Sequence, residues 1–334
     1  MNYLHYDVFT GEPLLGNQLA VFPDARGLST AQMQAIAREI NFSETTFVLP
    51  AERADTDIRM RIFTPAVEMP MAGHPTVGST FALALEGVIA PGRTRFIFGL
   101  NVGPTPVDLE WDGGRVRFVW MTQGRPTFGA PVTDRAAVAE AIGLRVDDLV
   151  ADLPIQEVSC GVSYLFVALR DRTAVDRATA DAVAMLELPG LSRSHPAILL
   201  FAHQRGVVGR VPPESETVAL SAGALVKAEG GPVVTYSRMF APSLGVVEDP
   251  ATGSAAGPLG CYLMQHGLVT ADEAREMTNV QGVKMGRASR IHMAITGAPD
   301  AITEVRVGGE AVLVARGEFL AVAASASAPA SAGR

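Results

Sequence analysis

Three segments of the sequence carry side chains that could move a proton. Glu44 lies between a helix-like segment and an apolar run, while His74 and Asp249 lie in or beside two glycine-containing loops. A carboxyl group at such a junction can be partly buried, and burial raises its pKa toward the range in which general acid–base catalysis is efficient. A solvated or capping glutamate is the alternative, and the residues around Glu44 leave both interpretations open.

The two glycine-containing loops, residues 71–76 and 249–254, each lead into an apolar segment with the length of a helix. The first backbone N–H groups of a helix have no intrahelical acceptor and favour anions. Gly73, Gly253 and Ser254 are therefore candidates for binding a substrate carboxylate. One such loop is more often an ordinary helix start, but two equivalent loops that carry polar side chains favour a function.

Local patterns predict the elements that position these loops. Residues 28–40 are predicted to form a helix with Ser29 as N-cap, because apolar residues recur there at helical spacing. Residues 58–63 alternate apolar and charged side chains, which predicts a half-buried strand. Two further alternating runs flank Asp112-Gly113-Gly114, which predicts a β-hairpin.

An internal repeat organises the chain. The pattern Arg-x-Phe-x-Pro occurs at residues 61–65 and again at residues 238–242. Matching glycine and leucine positions follow it in both copies, namely Gly73, Leu83 and Gly87 in the first and Gly253, Leu263 and Gly267 in the second. The final glycine of each set is expected just after the end of a helix. Chance matching of short patterns is the alternative, but the shared order favours a duplication.

The repeat predicts two domains of like fold with a ligand cleft between them. We expect an N-terminal half at residues 1–125 and a C-terminal half at residues 126–320, and the last strand could return to the N-terminal half. Residues 321–334 are mostly Ala and Ser. This composition predicts a flexible tail.

Composition excludes several classes of protein. The net charge of −8 and the isoelectric point near 5.3 argue against nucleic acid as a partner. The start of the chain does not resemble a signal peptide, and the apolar runs are too short to span a bilayer. We therefore expect a cytoplasmic protein without a membrane partner. The histidines and cysteines lack metal-site spacing, and no nucleotide-binding motif occurs.

Six motifs occur in a specific order along the chain: Gly16-Asn17 with Ala20-Val21-Phe22, Asn41-Phe42-Ser43-Glu44-Thr45, Arg61-x-Phe63-x-Pro65-x-x-Glu68, Gly73-His74-Pro75-Thr76, Glu248-Asp249-Pro250-Ala251-Thr252-Gly253-Ser254-Ala255 and Gln281-Gly282-x-x-x-Gly286-Arg287. Together they resemble the PhzF-like phenazine-biosynthesis family of isomerases, which shares the diaminopimelate epimerase fold. The resemblance spans about residues 5 to 320.

The resemblance implies an α+β fold with two pseudo-symmetric domains, each a β-barrel-like sheet wrapped around a central helix. It implies a homodimer that needs no cofactor and no metal, and that binds a small carboxylate substrate between the domains. Glu44 matches the family's acid–base glutamate, and His74 and Asp249 match its polar partners. Gly73, Gly253 and Ser254 match the substrate-binding loops. The substrate of the phenazine pathway is a dihydro-hydroxyanthranilate, but the substrate of this chain stays open.

The cysteines distinguish between mechanisms within this fold. The related epimerases and proline racemases use one thiol from each half, at positions that match Ala72 and Thr252 here. Neither of these residues can act as a general base. Cys160 and Cys261 lie elsewhere, and we expect both to be buried structural residues. The sequence therefore favours an isomerase with one catalytic carboxylate over a racemase with two thiols.

Two alternatives remain. The first is a non-catalytic, dimeric module that binds small acids on the same fold. It accounts for the anion-binding loops but gives Glu44, His74 and Asp249 no joint purpose, and it gains support if the Glu44 carboxyl points away from the cleft. The second is an epimerase of this fold that uses Glu44 with another base.

Overall fold

The computed structural model describes residues 1–188, 190–202 and 233–320. The predicted flexible tail, residues 321–334, lies outside the described residues. The described chain contains eighteen strands and six α-helices. None of its helices combines the length and the apolar character that crossing a bilayer requires.

The N-terminal half contains two helices and eight strands in the order β1 (Asn2–Val8), β2 (Asn17–Phe22), α1 (Thr30–Ile40), β3 (Glu44–Pro50), β4 (Ile58–Phe63), β5 (Glu68–Met69), α2 (Gly73–Leu85), β6 (Arg95–Leu100), β7 (Gly103–Asp112) and β8 (Arg115–Gln123). The helix α1 begins after Ser29, whose side chain accepts a hydrogen bond from Gln32 N in a capping box. The helix, the strand β4 and the β7–β8 hairpin confirm the predictions from local patterns.

The remaining elements are β9 (Thr127–Val132), α3 (Arg135–Ala141), β10 (Ile155–Ser159), β11 (Ser163–Leu169), α4 (Arg172–Arg177), α5 (Ala182–Glu187), β12 (Ile198–Ala202), β13 (Val233–Ala241), β14 (Val246–Asp249), α6 (Gly253–Gln265), β15 (Met277–Gln281), β16 (Ser289–Ala298), β17 (Ala301–Gly309) and β18 (Ala311–Glu318).

Strand pairing is the same in both halves. One run of neighbours is β18, β1, β2, β3, β4, β6, β7 and β8, and the other is β9, β10, β11, β12, β13, β15, β16 and β17. The parallel pairs β2–β3 and β4–β6 of the first run correspond to β11–β12 and β13–β15 of the second. Antiparallel pairing of β8 with β17 joins the two runs. The last strand, β18, pairs with β1, the first strand of the chain.

Each run of strands curls around one central helix. Every residue of α2 from Gly73 to Leu83 is buried, and so is every residue of α6 from Gly253 to Met264. A helix that is apolar on all sides is stable only when it is surrounded, which is the position that the curled sheet provides. Gly87 and Gly267 follow the two helices with φ of 74° and 67°, as the repeat predicts.

The repeated Arg-x-Phe pattern makes the same contacts in both halves. Arg61 forms a two-pronged hydrogen-bonded ion pair with Glu68, and Arg238 forms one with Glu248. Each guanidinium also lies over the ring of the phenylalanine two residues later, at 5.2 Å in the first half and 4.8 Å in the second. Each pair ties a long strand, β4 or β13, to the short strand that leads into a glycine loop, β5 or β14, and this restrains the start of the loop.

Candidate active site

The two central helices meet at their N-termini. A Cβ atom on Gly73 would lie 2.5 Å from the backbone carbonyl carbon of Gly253, closer than two such atoms can approach. Glycine at these positions therefore allows the two helix starts to touch. Neither helix start has a side-chain cap. Since the first N–H groups of both helices lack intrahelical acceptors, the contact concentrates positive potential in one place.

Glu44 lies beside this meeting point. It is the first residue of β3, and its partner in the parallel pairing with β2 is Leu19. Glu44 lines a cleft between the halves together with Asp249 and Thr252, and its side chain is only 13 % exposed. The Nδ1 atom of His74 lies 3.0 Å from Oε2 of Glu44.

The contacts of Asn17 determine which role the Nδ1 atom of His74 can take. The amide nitrogen of Asn17 lies 2.7 Å from Asp249 Oδ1, 2.9 Å from the Ala251 carbonyl and 3.2 Å from His74 Nδ1. An amide has two N–H donors, and the two shorter contacts use both. His74 Nδ1 is then free to carry a proton and donate it to Glu44. The Nε2 atom of His74 is buried and has no partner among the described residues, so it is available to a ligand.

Asp249 is buried in a network of donors. Thr252 Oγ1 donates to its Oδ2 at 2.6 Å, and the amide of Gln281 donates to its backbone carbonyl and to Thr252 Oγ1. Burial and, after it, the nearby charge of Glu44 raise the pKa of Asp249 to about 6, although His74 and the hydroxyl donors act in the opposite direction. Two carboxyl groups in one cleft favour a proton on one of them near neutral pH.

Ser254 is connected to the cleft through the side chain of Tyr164. Its hydroxyl lies 2.6 Å from the hydroxyl of Tyr164, and both residues are buried. Tyr164 in turn lines the cleft and packs its ring edge-to-face against His195, with ring centres 4.9 Å apart. The side chain of Ser254 is thus anchored, and its backbone N–H is one of the first in α6, which have no intrahelical acceptor.

The structure brings together all six residues that the sequence singled out, namely Glu44, His74, Asp249, Gly73, Gly253 and Ser254. It also adds residues that sequence reasoning did not select: Asn17, Thr252, Gln281, Tyr164 and His195. The motifs around Asn17 and Gln281 contain a signal for these two residues, since each begins or ends a strand next to a glycine. Nothing in the local sequence distinguishes Tyr164 or His195 from core residues.

The cysteines lie apart from the cleft. Cys160 and Cys261 are both buried, as predicted, with their Sγ atoms 4.0 Å apart and unbonded. Ala72 and Thr252, the two positions that the sequence comparison within this fold singled out, are the residues immediately before α2 and α6. Within the described part of the chain, no group of three or more acidic, histidine or cysteine side chains could hold a metal ion.

Comparison with known proteins identifies the family. The sequence model described as phenazine biosynthesis-like protein matches residues 6–317. The chain belongs to this family. Over 318 residues it is 36 % identical to trans-2,3-dihydro-3-hydroxyanthranilate isomerase of Pseudomonas aeruginosa, an alignment that covers 94 % of this chain and 98 % of that protein. An uncharacterized isomerase of Salmonella typhimurium is 33 % identical over 318 residues, which cover 94 % of this chain and 97 % of the relative. The chain is accordingly an isomerase of the phenazine biosynthesis-like family.

Solved structures confirm the predicted fold. The phenazine biosynthesis protein of Bacillus anthracis, of the PhzF family, superposes with a TM-score of 0.75 at 27 % identity, covering 96 % of this chain and 99 % of that one. A probable proline racemase of Agrobacterium radiobacter superposes with a TM-score of 0.61 at 11 % identity, covering 96 % and 92 %. The second likeness concerns the fold alone, and it places the isomerase on the two-domain scaffold that racemases also use.

Proposed function

We propose that this isomerase moves a proton within a small cyclic or amino-acid-like carboxylate by acid–base catalysis at Glu44, without a cofactor. The observation that carries the proposal is the position of Glu44 in the cleft wall, with its Oε2 3.0 Å from His74 Nδ1 and beside the paired helix starts of Gly73 and Gly253. A proton acceptor beside two converging helix starts supports a reaction at a bound carboxylate.

The substrate carboxylate would bind at the two helix starts, where backbone N–H groups converge. Glu44 would remove a proton from a carbon made acidic by an adjacent unsaturated system, as the bonding electrons shift along that system. The same carboxylic acid would return the proton to another carbon on the same face. The substrate gains and loses one proton, so the product is an isomer and Glu44 ends as it began.

His74 and Asp249 would bind the substrate's other polar groups. Donation from His74 Nδ1 orients the Glu44 carboxyl, and the unpartnered Nε2 is available to a substrate amine or hydroxyl. Asp249 is held by Asn17 and Thr252 in a fixed orientation. Fixed partners of this kind lower the reorganisation that the reaction requires.

The two alternatives make different demands on the same residues. A binding-only module is favoured by a Glu44 side chain directed away from the cleft, and here Glu44 is one of the residues that line the cleft. An epimerase that uses Glu44 needs a second base, and neither Ala72 nor Thr252, immediately before the two central helices, can be that base. Proton transfer through the single carboxylate of Glu44 is the proposal that both observations support.

The proposed function includes a cellular compartment, an oligomeric state and a class of partner. We infer a cytoplasmic homodimer with no nucleic-acid partner. The net charge of −8 gives no attraction to nucleic acid. Light scattering on the purified protein tests the dimer, and activity after dialysis against a chelator tests the independence from metal ions.

A screen for solvent deuterium tests the proposed function. Amino-acid and cyclic-acid candidates, beginning with trans-2,3-dihydro-3-hydroxyanthranilate, which names the Pseudomonas aeruginosa relative, are incubated with the enzyme in D₂O. We expect at least one to acquire deuterium with the wild type and not with Glu44→Gln. Exchange by the Gln variant at the wild-type rate would show that another group moves the proton.

A further inference from the structure

The wall of the cleft beside Tyr164 and Ser254 contains a histidine that the proposed proton transfer does not use. His195 is 9 % exposed and lines the same cleft as Glu44 and Asp249. It lies three residues before β12, and its backbone carbonyl accepts a hydrogen bond from Ala197 N at 2.9 Å.

The repeat shows that His195 is specific to the second half. Phe47 of β3 pairs with Arg61, and Leu200 of β12 pairs with Arg238. Since Arg61 and Arg238 are equivalent in the repeat, the position equivalent to Glu44 is Ala197, two residues after His195. The duplicated scaffold therefore presents a carboxylate to the cleft from one half and an imidazole from the other.

The imidazole of His195 has a fixed orientation and an unused polar atom. Its ring packs edge-to-face against Tyr164, with ring centres 4.9 Å apart and planes at 80°, and Tyr164 is fixed by the hydrogen bond to Ser254. The Nε2 atom of His195 is buried without a partner among the described residues. Buried polar atoms nearly always have a hydrogen-bond partner, so an unpartnered atom in a cleft wall indicates a ligand group.

The state of the ring limits what that ligand group can be. Burial lowers the pKa of His195 to about 4, despite the opposing charge of Glu44, so the ring is neutral at neutral pH. A neutral imidazole offers one N–H donor and one acceptor nitrogen. An uncharged hydroxyl or carbonyl group matches such a partner, while a second carboxylate would gain no ion pair there.

We propose that His195 is a specificity-determining residue, which selects acids carrying an uncharged hydroxyl or carbonyl group opposite Glu44 by hydrogen-bonding that group through Nε2. The inference rests on the proposed function, because it assumes that the substrate carboxylate binds at the helix starts. Tyr164 and Ser254 hold the imidazole in place and connect this polar position to the carboxylate position at α6.

Two stable aromatic acids test this selection without turnover. 3-Hydroxyanthranilate carries the carboxyl, amino and hydroxyl groups in the arrangement that the Pseudomonas aeruginosa relative's name describes, and anthranilate lacks only the hydroxyl. We expect wild-type protein to bind 3-hydroxyanthranilate about 10-fold more tightly in calorimetry, the effect of one hydrogen bond to a buried group. His195→Phe keeps the packing against Tyr164 but has no polar atom, and it should bind both acids equally, with anthranilate affinity unchanged.

A conservative variant and a matched control separate recognition from packing. His195→Asn offers an amide and should restore part of the preference, which a purely structural role would not produce. His292→Phe replaces another histidine with a lowered pKa, packed against Phe118 away from the cleft, and should retain the full preference. Melting temperatures within a few degrees of wild type confirm that each variant is folded.

The outcomes distinguish this inference from the proposed function. Equal binding of the two acids by wild type, or failure to bind either, overturns the assignment of His195. So does an undiminished preference in His195→Phe. Glu44-dependent deuterium exchange in any of these cases leaves the proposed function standing, and loss of that dependence with an intact hydroxyl preference removes the proposed mechanism alone.

Discussion

Nδ1 of His74 lies 3.0 Å from Oε2 of Glu44, and it is the nitrogen of the ring that Asn17 leaves free to donate. The carboxylate is therefore aimed by a side chain at the start of α2, the same helix whose backbone would bind the substrate. His74→Asn places an amide near the position of Nδ1 and keeps a donor for Glu44, whereas His74→Leu removes both ring nitrogens. We expect deuterium exchange to fall about 10-fold in the Asn variant and about 100-fold or more in the Leu variant.

The order of the two His74 variants is the informative result, and initial rates of exchange measured by mass spectrometry give it directly. Equal rates for the Asn and Leu variants mean that orientation of Glu44 through Nδ1 contributes nothing. A wild-type rate in His74→Leu removes His74 from the mechanism altogether.

The raised pKa of Asp249 predicts how stability depends on pH. Its pKa is about 6 in the folded protein against an ordinary value of 3.8, so the folded state binds more protons than the unfolded state between these values. The contribution of this group to the free energy of unfolding is therefore greatest below pH 4, falls as pH rises to about 6, and stays low above that. A difference of one in pKa corresponds to about 1.4 kcal/mol, so the free energy of unfolding should fall by on the order of 3 kcal/mol over this pH range.

Asp249→Asn removes this titration while retaining a group of the same shape. Urea denaturation at pH 5 and pH 8 should show that the stability of the variant relative to wild type increases with pH. If the difference in free energy of unfolding between the two proteins is the same at pH 5 and pH 8, the pKa of Asp249 is not raised in the folded protein. Activity of the variant at pH 8 is expected to fall, since its amide cannot accept from a substrate amine through both atoms.

The contact between the helix starts predicts a sharp effect of a single methyl group. Gly73→Ala would place Cβ 2.5 Å from the Gly253 carbonyl carbon and 2.6 Å from Ser254 N, so the two helices must separate. We expect about 1–3 kcal/mol of lost stability and loss of measurable 3-hydroxyanthranilate binding, because the N–H groups no longer converge. Calorimetry and thermal denaturation measure the two effects.

Gly129→Ala is the matched control for this substitution. Gly129 lies in β9, and the nearest atom to an added Cβ is the Glu157 Cβ at 3.2 Å. Ligand binding by this variant should equal that of wild type. Unimpaired binding by Gly73→Ala contradicts a carboxylate site at the helix starts.

The buried thiols predict resistance to alkylation. Hydrogen bonding with Cys261 and burial raise the pKa of the Cys160 thiol. This thiol therefore stays protonated, and burial keeps an alkylating reagent away from both cysteines. Treatment with iodoacetamide at pH 7.5 should leave the isomerase fully active, and mass spectrometry should show unmodified protein until denaturant is added. Inactivation in step with labelling of one cysteine would instead indicate a thiol mechanism.

Most of the architecture was predictable because the two halves of the chain repeat the same sequence pattern. The Arg-x-Phe-x-Pro repeat and the glycines after α2 and α6 indicate two equal halves, and strand pairing in the same order confirms them. The helix after Ser29 and the β7–β8 hairpin depend on local capping and turn chemistry, which a sequence shows directly. The family motifs likewise predict Glu44, His74 and Asp249 as site residues from the sequence alone.

The contacts that join the halves were not predictable from local patterns. Asn17 and Asp249 are separated by 232 positions, and their hydrogen bond forms only when both sheets close around their helices. Tyr164 and His195 come from segments whose sequences resemble ordinary core, since their polar atoms matter only through neighbours in space. The contact between the two helix starts was equally hidden, because glycine also occurs at helix starts that touch no second helix.

The most direct test of proton transfer by Glu44 is position-resolved deuterium labelling by NMR in D₂O. With trans-2,3-dihydro-3-hydroxyanthranilate, or the best substrate from the acid screen, the wild type should introduce deuterium at the carbon that receives the proton. Glu44→Gln should be slower by about 10²–10⁴-fold while still binding 3-hydroxyanthranilate, and Glu39→Gln, at an exposed glutamate of α1, should match wild type. Deuterium entering at the same carbon and the same rate in Glu44→Gln would contradict the central role of this carboxylate.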